Sequence, residues 1–116
     1  MEPISVIIYG TGAMGCNMAR LLRRKPGVEV VGAIDHDPQK IGKDLGEVAQ
    51  LGEQTGIKIE YPPEKVLDRV EAKVVLLSMT AFLDDAMEPI TKILKRGMNI
   101  VTICQELFFP IGKNNS

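Results

Sequence analysis

Apolar residues fall along this chain in five short runs separated by polar, glycine- and proline-marked segments. Ile4-Ser5-Val6-Ile7-Ile8-Tyr9 is apolar at nearly every position, which predicts a central parallel strand buried on both faces. Met14, Met18, Leu21 and Leu22 then recur at i, i+4, i+7 and i+8, an amphipathic helix closed by the turn Lys25-Pro26-Gly27. Val28 to Ile34 is a second apolar strand, and its Gly32 marks close approach of a neighbouring backbone or helix. Ile57 to Tyr61 alternates apolar and polar, as in a short strand exposed on one side. Pro62-Pro63 ends it and leads into a helix from Glu64 to Val70. Val74 to Leu77 predicts a fourth strand, with Ser78-Met79-Thr80 leaving its carboxyl end. Leu83, Met87, Ile90 and Leu94 outline a helix interrupted at Pro89 and stopped by Gly97, and Asn99 to Ile103 is the fifth strand.

Between strands two and three, Ile41 to Gly56 carries Gly42, Gly46, Gly52 and Gly56, too many for a long helix. Leu45, Val48, Ala49 and Leu51 mark one short helical piece within a loop. The succession of elements predicts an α/β fold of Rossmann type, a doubly wound parallel sheet with strand order 3-2-1-4-5 in three α/β/α layers. Its ligand crevice lies where the order reverses, at the carboxyl ends of strands one and four.

That crevice coincides with Gly10-Thr11-Gly12-Ala13-Met14-Gly15, a GxGxxG turn between strand one and the first helix. Such a turn suits the pyrophosphate of a dinucleotide. The first glycine permits the tight turn, the second leaves room for phosphate, and the third lets the helix pack closely, its amino-terminal end facing the anion. The chain holds 11 glycines, so the motif alone is weak. Asp35, at the end of strand two and twenty residues after Gly15, strengthens it as an acceptor for adenosine-ribose hydroxyls. A carboxylate there favours NAD over NADP, while nearby Lys40 leaves NADP use open. Gly10, Thr11, Gly12, Ala13, Met14, Gly15 and Asp35 are therefore the candidate cofactor residues, with Ser78, Met79 and Thr80 bordering the ribose and nicotinamide.

Composition narrows the alternatives. A net charge of −1 offers no basic surface for nucleic acid, and no apolar run is long enough to span a membrane. The start lacks a signal-peptide pattern, so the expectation is a cytoplasmic chain in which Cys16 and Cys104 are free thiols. Cys16 reads as a small residue filling the packing behind the turn. His36, the one histidine, falls on the adenosine side, away from hydride chemistry, and reads as loop surface or adenine edge. Asp35-His36-Asp37 is not a metal site, because three consecutive side chains rarely converge.

Tyr9 to Gly15, Val31 to Asp35, Gly42-Lys43-Asp44-Leu45-Gly46-Glu47-Val48 and the Glu106-containing end of strand five resemble one family over nearly the whole chain. It is the amino-terminal, NAD(P)-binding domain of the 2,4-diaminopentanoate dehydrogenases, relatives of dihydrodipicolinate reductase. The resemblance implies an oxidoreductase that deaminates a small diamino acid, with a second domain for substrate and oligomer contacts. Dihydrodipicolinate reductase proper is a poorer match, since Ser78-Met79-Thr80 and Thr102-Ile103-Cys104 depart from its motifs after strands four and five.

The expectation is thus one dinucleotide-binding domain over residues 1–116, a fragment whose catalytic residues lie beyond Ser116. It binds the dinucleotide but does not turn over alone, and its fifth strand is an open edge for homo-oligomer formation. The competing readings are a stand-alone dinucleotide-binding or redox-sensing module without catalysis, or the cofactor domain of a dihydrodipicolinate-reductase-like enzyme.

Overall fold

The computed structural model describes residues 3–79 and 90–104. In chain order these form β1 (Ile4–Tyr9), α1 (Ala13–Arg23), β2 (Val28–Ile34), α2 (Leu45–Val48), β3 (Ile59–Glu60), α3 (Pro63–Leu67), a helical stretch at 90–95, and two further strands, β4 (Val74–Met79) preceding that stretch and β5 (Asn99–Cys104) following it. The sheet runs β3-β2-β1-β4-β5 with every pairing parallel, the order expected from the sequence.

Strand periodicity explains the layers. Ile7 of β1, Ile34 of β2 and Val75 of β4 pack with Val66 and Leu67 of α3 and with Ile93 and Met98 on one face. Val6 and Ile8 of β1 and Leu76 of β4 point the other way, against Met18 and Leu22 of α1. Ala19, Ala33, Leu45, Ala49 and Ile59 close that second side towards β3. The face of α1 differs from the expected one: Leu21 is exposed, and the small Ala19 is fully buried in its place. Gly32 does mark a close approach, since a Cβ there would lie 2.7 Å from Val66 Cγ1 of α3.

Some boundaries move. β4 continues through Ser78 and Met79, which pair with Ile103 and Cys104, so these two residues belong to the strand and do not leave it. β3 is shorter than Ile57 to Tyr61 because neighbouring backbone takes its groups. Ile59 N–H donates to the Lys43 carbonyl, its carbonyl accepts from Gly42, and the Ile57 carbonyl accepts from Leu45. Thr80 and residues 81–89, with Pro89, lie outside the described residues, as do Gln105 and Glu106.

The glycine-rich 41–56 segment is organised by Asp44. It caps α2, its Oδ1 accepting from Gly46 N–H (2.7 Å), Thr55 N–H (2.9 Å) and the Thr55 hydroxyl (3.0 Å), while Oδ2 accepts from Gly56 N–H (2.8 Å). The Thr55 N–H is the largest influence on its acidity. With the other three donors it outweighs partial burial and lowers the Asp44 pKa to about 2. An unfolded Asp titrates near ~3.9, so this carboxylate contributes stability above that pH and loses it as pH falls towards 2. Asp44→Ala is expected to destabilise the fold by about 2 kcal/mol at neutral pH, through a lost cap and charged hydrogen bonds. In denaturant titrations its deficit against the wild type should narrow as the pH is lowered from about 5 towards 2.

Candidate functional site

β1 and β2 end level at Tyr9 and Ile34, opposite Leu77 of β4, and three residues meet just beyond. Gly10 N–H donates to the Ile34 carbonyl (2.8 Å), Asp35 follows Ile34, and Ser78 continues β4 beside Gly10. Gly10 has φ +102°, in the region glycine alone enters freely, and a Cβ there would fall 2.0 Å from the Ser78 carbonyl oxygen. Gly15 is bound as tightly from the other side: its Cβ would lie 1.9 Å from the Gly10 carbonyl oxygen. The chain can turn from strand to helix here only because both side chains are missing. Gly12 is different. It is exposed, and among the described residues nothing lies within 4 Å of where its Cβ would be.

Gly12 is also the N-cap of the eleven-residue α1, with no side-chain cap and no acidic residue in the first turn. The amino-terminal N–H groups and positive dipole end therefore open onto the space above Gly12 and the exposed Ala13. Met14 is half-buried beside them.

Thr11 and Asp35 lie behind this opening. Thr11 is 1% exposed and Asp35 8%. Asp35 Oδ2 accepts from Thr11 N–H (2.7 Å) and the Thr11 hydroxyl (2.6 Å), and Oδ1 accepts from Asp37 N–H (2.9 Å). Lys40 Nζ donates to the Thr11 carbonyl (2.7 Å). Burial alone would raise the Asp35 pKa. The two bonds from Thr11, the one from Asp37 and the charge of Lys40 outweigh it, so the carboxyl is held below its ordinary value and stays ionised. Asp35 is thus no ordinary exposed loop acid but a buried carboxylate tying the end of β2 to the glycine turn.

Cys16 behaves as packing. Burial pushes its thiol pKa up, against the smaller opposing pull of Lys40 and Arg20, and its Sγ–H donates to the carbonyls of Thr11 (3.3 Å) and Val48 (3.7 Å). The His36 side chain is 84% exposed, its ring centroid 6.2 Å from that of Tyr61. A separate cleft of about 450 Å³ lies at the β3 edge between Val31, Ile41, Tyr61 and Arg69, and none of residues 10–15 lines it. Among the described residues, no helix is long and apolar enough to cross a membrane.

The sequence pattern singles out the glycines and Asp35, which the fold brings together at the end of β1, but not the hydrogen bonds that Thr11 and Asp44 make. For Asp44 a signal was present: Asp44-Leu45-Gly46-Glu47 has the form of a helix-capping box. The Thr11–Asp35 pairing spans 24 residues and has no local signal.

Comparison with known proteins agrees with this architecture. The family described as "Dihydrodipicolinate reductase, N-terminus" matches residues 4–103. A 2,4-diaminopentanoate dehydrogenase of Acetoanaerobium sticklandii is 33% identical over 97% of this chain and 32% of its own length. A 4-hydroxy-tetrahydrodipicolinate reductase of Trichormus variabilis is 38% identical, over 59% of this chain and 25% of its own. The solved structure of an amine dehydrogenase from Mycobacterium smegmatis superimposes with a TM-score of 0.83 at 34% identity, covering 97% of this chain and 33% of that one. The chain spans about a third of the length of the curated dehydrogenase it matches over 97% of its own residues.

The contacts above separate two kinds of glycine. Gly15→Ala is expected to destabilise by about 3 kcal/mol, because backbone must move to admit the methyl group. Gly12→Ala should lose at most about 1 kcal/mol, the effect of a poorer N-cap. Denaturant melts of the two variants check this directly.

Proposed function

We propose that this chain, which belongs to the dihydrodipicolinate reductase N-terminal family, binds a nicotinamide dinucleotide at the Gly10–Gly15 turn and is the cofactor-binding part of an oxidoreductase acting on a small diamino acid. The observation that carries the proposal is an uncapped helix end and an open Gly12 set beside a buried, ionised Asp35. The fit is chemical. The free N–H groups and dipole of α1 suit the pyrophosphate. Asp35 Oδ1, with one bond from Asp37, keeps acceptor capacity for a ribose hydroxyl. Ser78, near the carboxyl end of β4 and beside Gly10, would border the space where the nicotinamide half extends. When bound, the dinucleotide supplies the hydride acceptor; this chain's residues hold and orient it.

NAD is the favoured form, since the Asp35 carboxylate repels a 2′-phosphate. The Lys40 ammonium on the Thr11 carbonyl offsets part of that repulsion, giving a preference of about tenfold. The extent of the likeness supports an amine or amino-acid substrate over that of the reductase, and the diamino acid is the form of it proposed here. The likeness runs through 97% of the chain for both the 2,4-diaminopentanoate dehydrogenase and the amine dehydrogenase, against 59% for the reductase. The substrate-binding residues and the proton-transfer groups belong, in this proposal, to sequence outside these 116 residues.

Calorimetric titration with NADH and NADPH tests the reading. The chain should bind NADH and should not turn over 2,4-diaminopentanoate. Gly12→Val should weaken NADH binding at least about tenfold while staying folded, because its side chain occupies the space left for phosphate. Asp35→Ser should weaken NADH by about tenfold and narrow the gap to NADPH. Unchanged affinity in Gly12→Val would remove the turn from consideration.

A further inference from the structure

Thr11 sits in a motif position commonly filled by any small residue, yet here every polar group it has is engaged. Its N–H and hydroxyl both donate to Asp35 Oδ2, at 2.7 and 2.6 Å. Its carbonyl accepts from Lys40 Nζ at 2.7 Å and from Cys16 Sγ at 3.3 Å. With 1% of its surface exposed, Thr11 offers its side chain to no ligand. The two Thr11 donors fill the acceptor capacity of Oδ2, whereas Oδ1 accepts one backbone N–H and keeps a lone pair.

We propose that Thr11 is a positioning residue for the adenosine-ribose subsite: its hydroxyl and N–H lock Asp35 Oδ2 so that Oδ1 is the oxygen presented to the ribose. This rests on the dinucleotide reading above. A valine at this position has the same shape and keeps the N–H, but removes a charge-assisted hydrogen bond and leaves the carboxylate held by one backbone N–H on each oxygen, a looser anchorage. A serine keeps the hydroxyl. The Thr11 bonds also help hold Asp35 ionised, so losing the hydroxyl shifts the pH at which the ribose acceptor becomes protonated. The other charged or titratable groups around the carboxylate are Lys40, Asp37, Cys16 and His36, whose Nδ1 is 3.8 Å from Oδ1. All four are unchanged in the variants, so the difference between proteins isolates the hydroxyl.

The test is the affinity of the wild type, Thr11→Val and Thr11→Ser in the 116-residue chain for NADH at neutral pH, and for acid-stable NAD+ between pH 3 and 8, with thermal melts of each. Thr11→Val should raise Kd for NADH about tenfold at neutral pH. Its acid-side loss of affinity should also begin at a higher pH, because Asp35 with one donor fewer takes up its proton earlier. Thr11→Ser should restore both. If Thr11→Val does not fold, Thr11→Ala removes the same hydroxyl without placing a methyl group against the carboxylate, and the same two shifts are expected. Wild-type affinity and pH profile in the folded hydroxyl-free variant would overturn the proposal, as would a Thr11→Ser protein that fails to recover them. If the wild type itself binds no NADH, the dinucleotide reading fails, a result distinct from a bound wild type with indifferent variants.

Discussion

The architecture turns on one steric constraint, the contact between Gly15 and the Gly10 carbonyl. A methyl group at Gly15 would sit 1.9 Å from that oxygen, and one at Gly10 would sit 2.0 Å from the Ser78 carbonyl. Helix α1 can start where it does only with both side chains absent. That placement brings its amino terminus to the carboxyl ends of β1 and β4, at the point where the strand order reverses. Moving α1 outwards to admit a methyl group at Gly15 would also pull Met18, Ala19 and Leu22 off the sheet, so the turn and the core on that face depend on each other.

A second layer of constraint is polar. Asp35, at the end of β2, reaches back to Thr11, and Lys40, from the following loop, reaches to the same residue. The glycine turn is flexible by composition and is held by charge-assisted bonds from one neighbouring segment. Those bonds keep a carboxylate ionised although it is almost wholly buried. The loop that supplies Lys40 is itself fixed a few residues on by Asp44 and its four donors. Thr55 is thus tied to Asp44, the adjacent Lys43 N–H donates to the Lys40 carbonyl, and Lys40 Nζ reaches Thr11, so sheet edge, loop and turn are linked through this short stretch of chain.

Much of this was legible before any coordinates. The central strands β1 and β4 are largely buried, so their apolar runs are nearly unbroken, and the runs of β2 and β5 are almost as continuous although Glu29, Asn99 and Val101 are exposed; together they mark the sheet with its order. Gly10, Gly12, Gly15 and Asp35 obey a spacing with a steric cause, and the geometry found at Gly10 and Gly15 has that cause. What pattern could not supply was non-local. β3 spans only Ile59–Glu60, and the backbone of Ile57 and Ile59 bonds Leu45, Gly42 and Lys43 of the preceding loop. Leu21 faces solvent because the face of α1 packed on the sheet is Gly15, Met18, Ala19 and Leu22, and position 21 falls outside it. Thr11 sits in a loop and pairs with a residue 24 positions away, a relation no periodicity encodes. The family resemblance covered the 42–48 segment that periodicity described least well, and the match over residues 4–103 agrees with it.

The central claim is that the space above Gly12, at the end of α1 and beside Asp35, is where the dinucleotide lies. The most direct measurement is an amide-resolved NMR titration of the 116-residue chain with NADH. The largest shifts should fall on Thr11 to Gly15 and on Asp35, reporting phosphate at the helix end and ribose at the carboxylate together. Shifts confined to Ile41, Tyr61 and Arg69 around the cleft at the β3 edge, or no shifts at saturating NADH, would contradict the account.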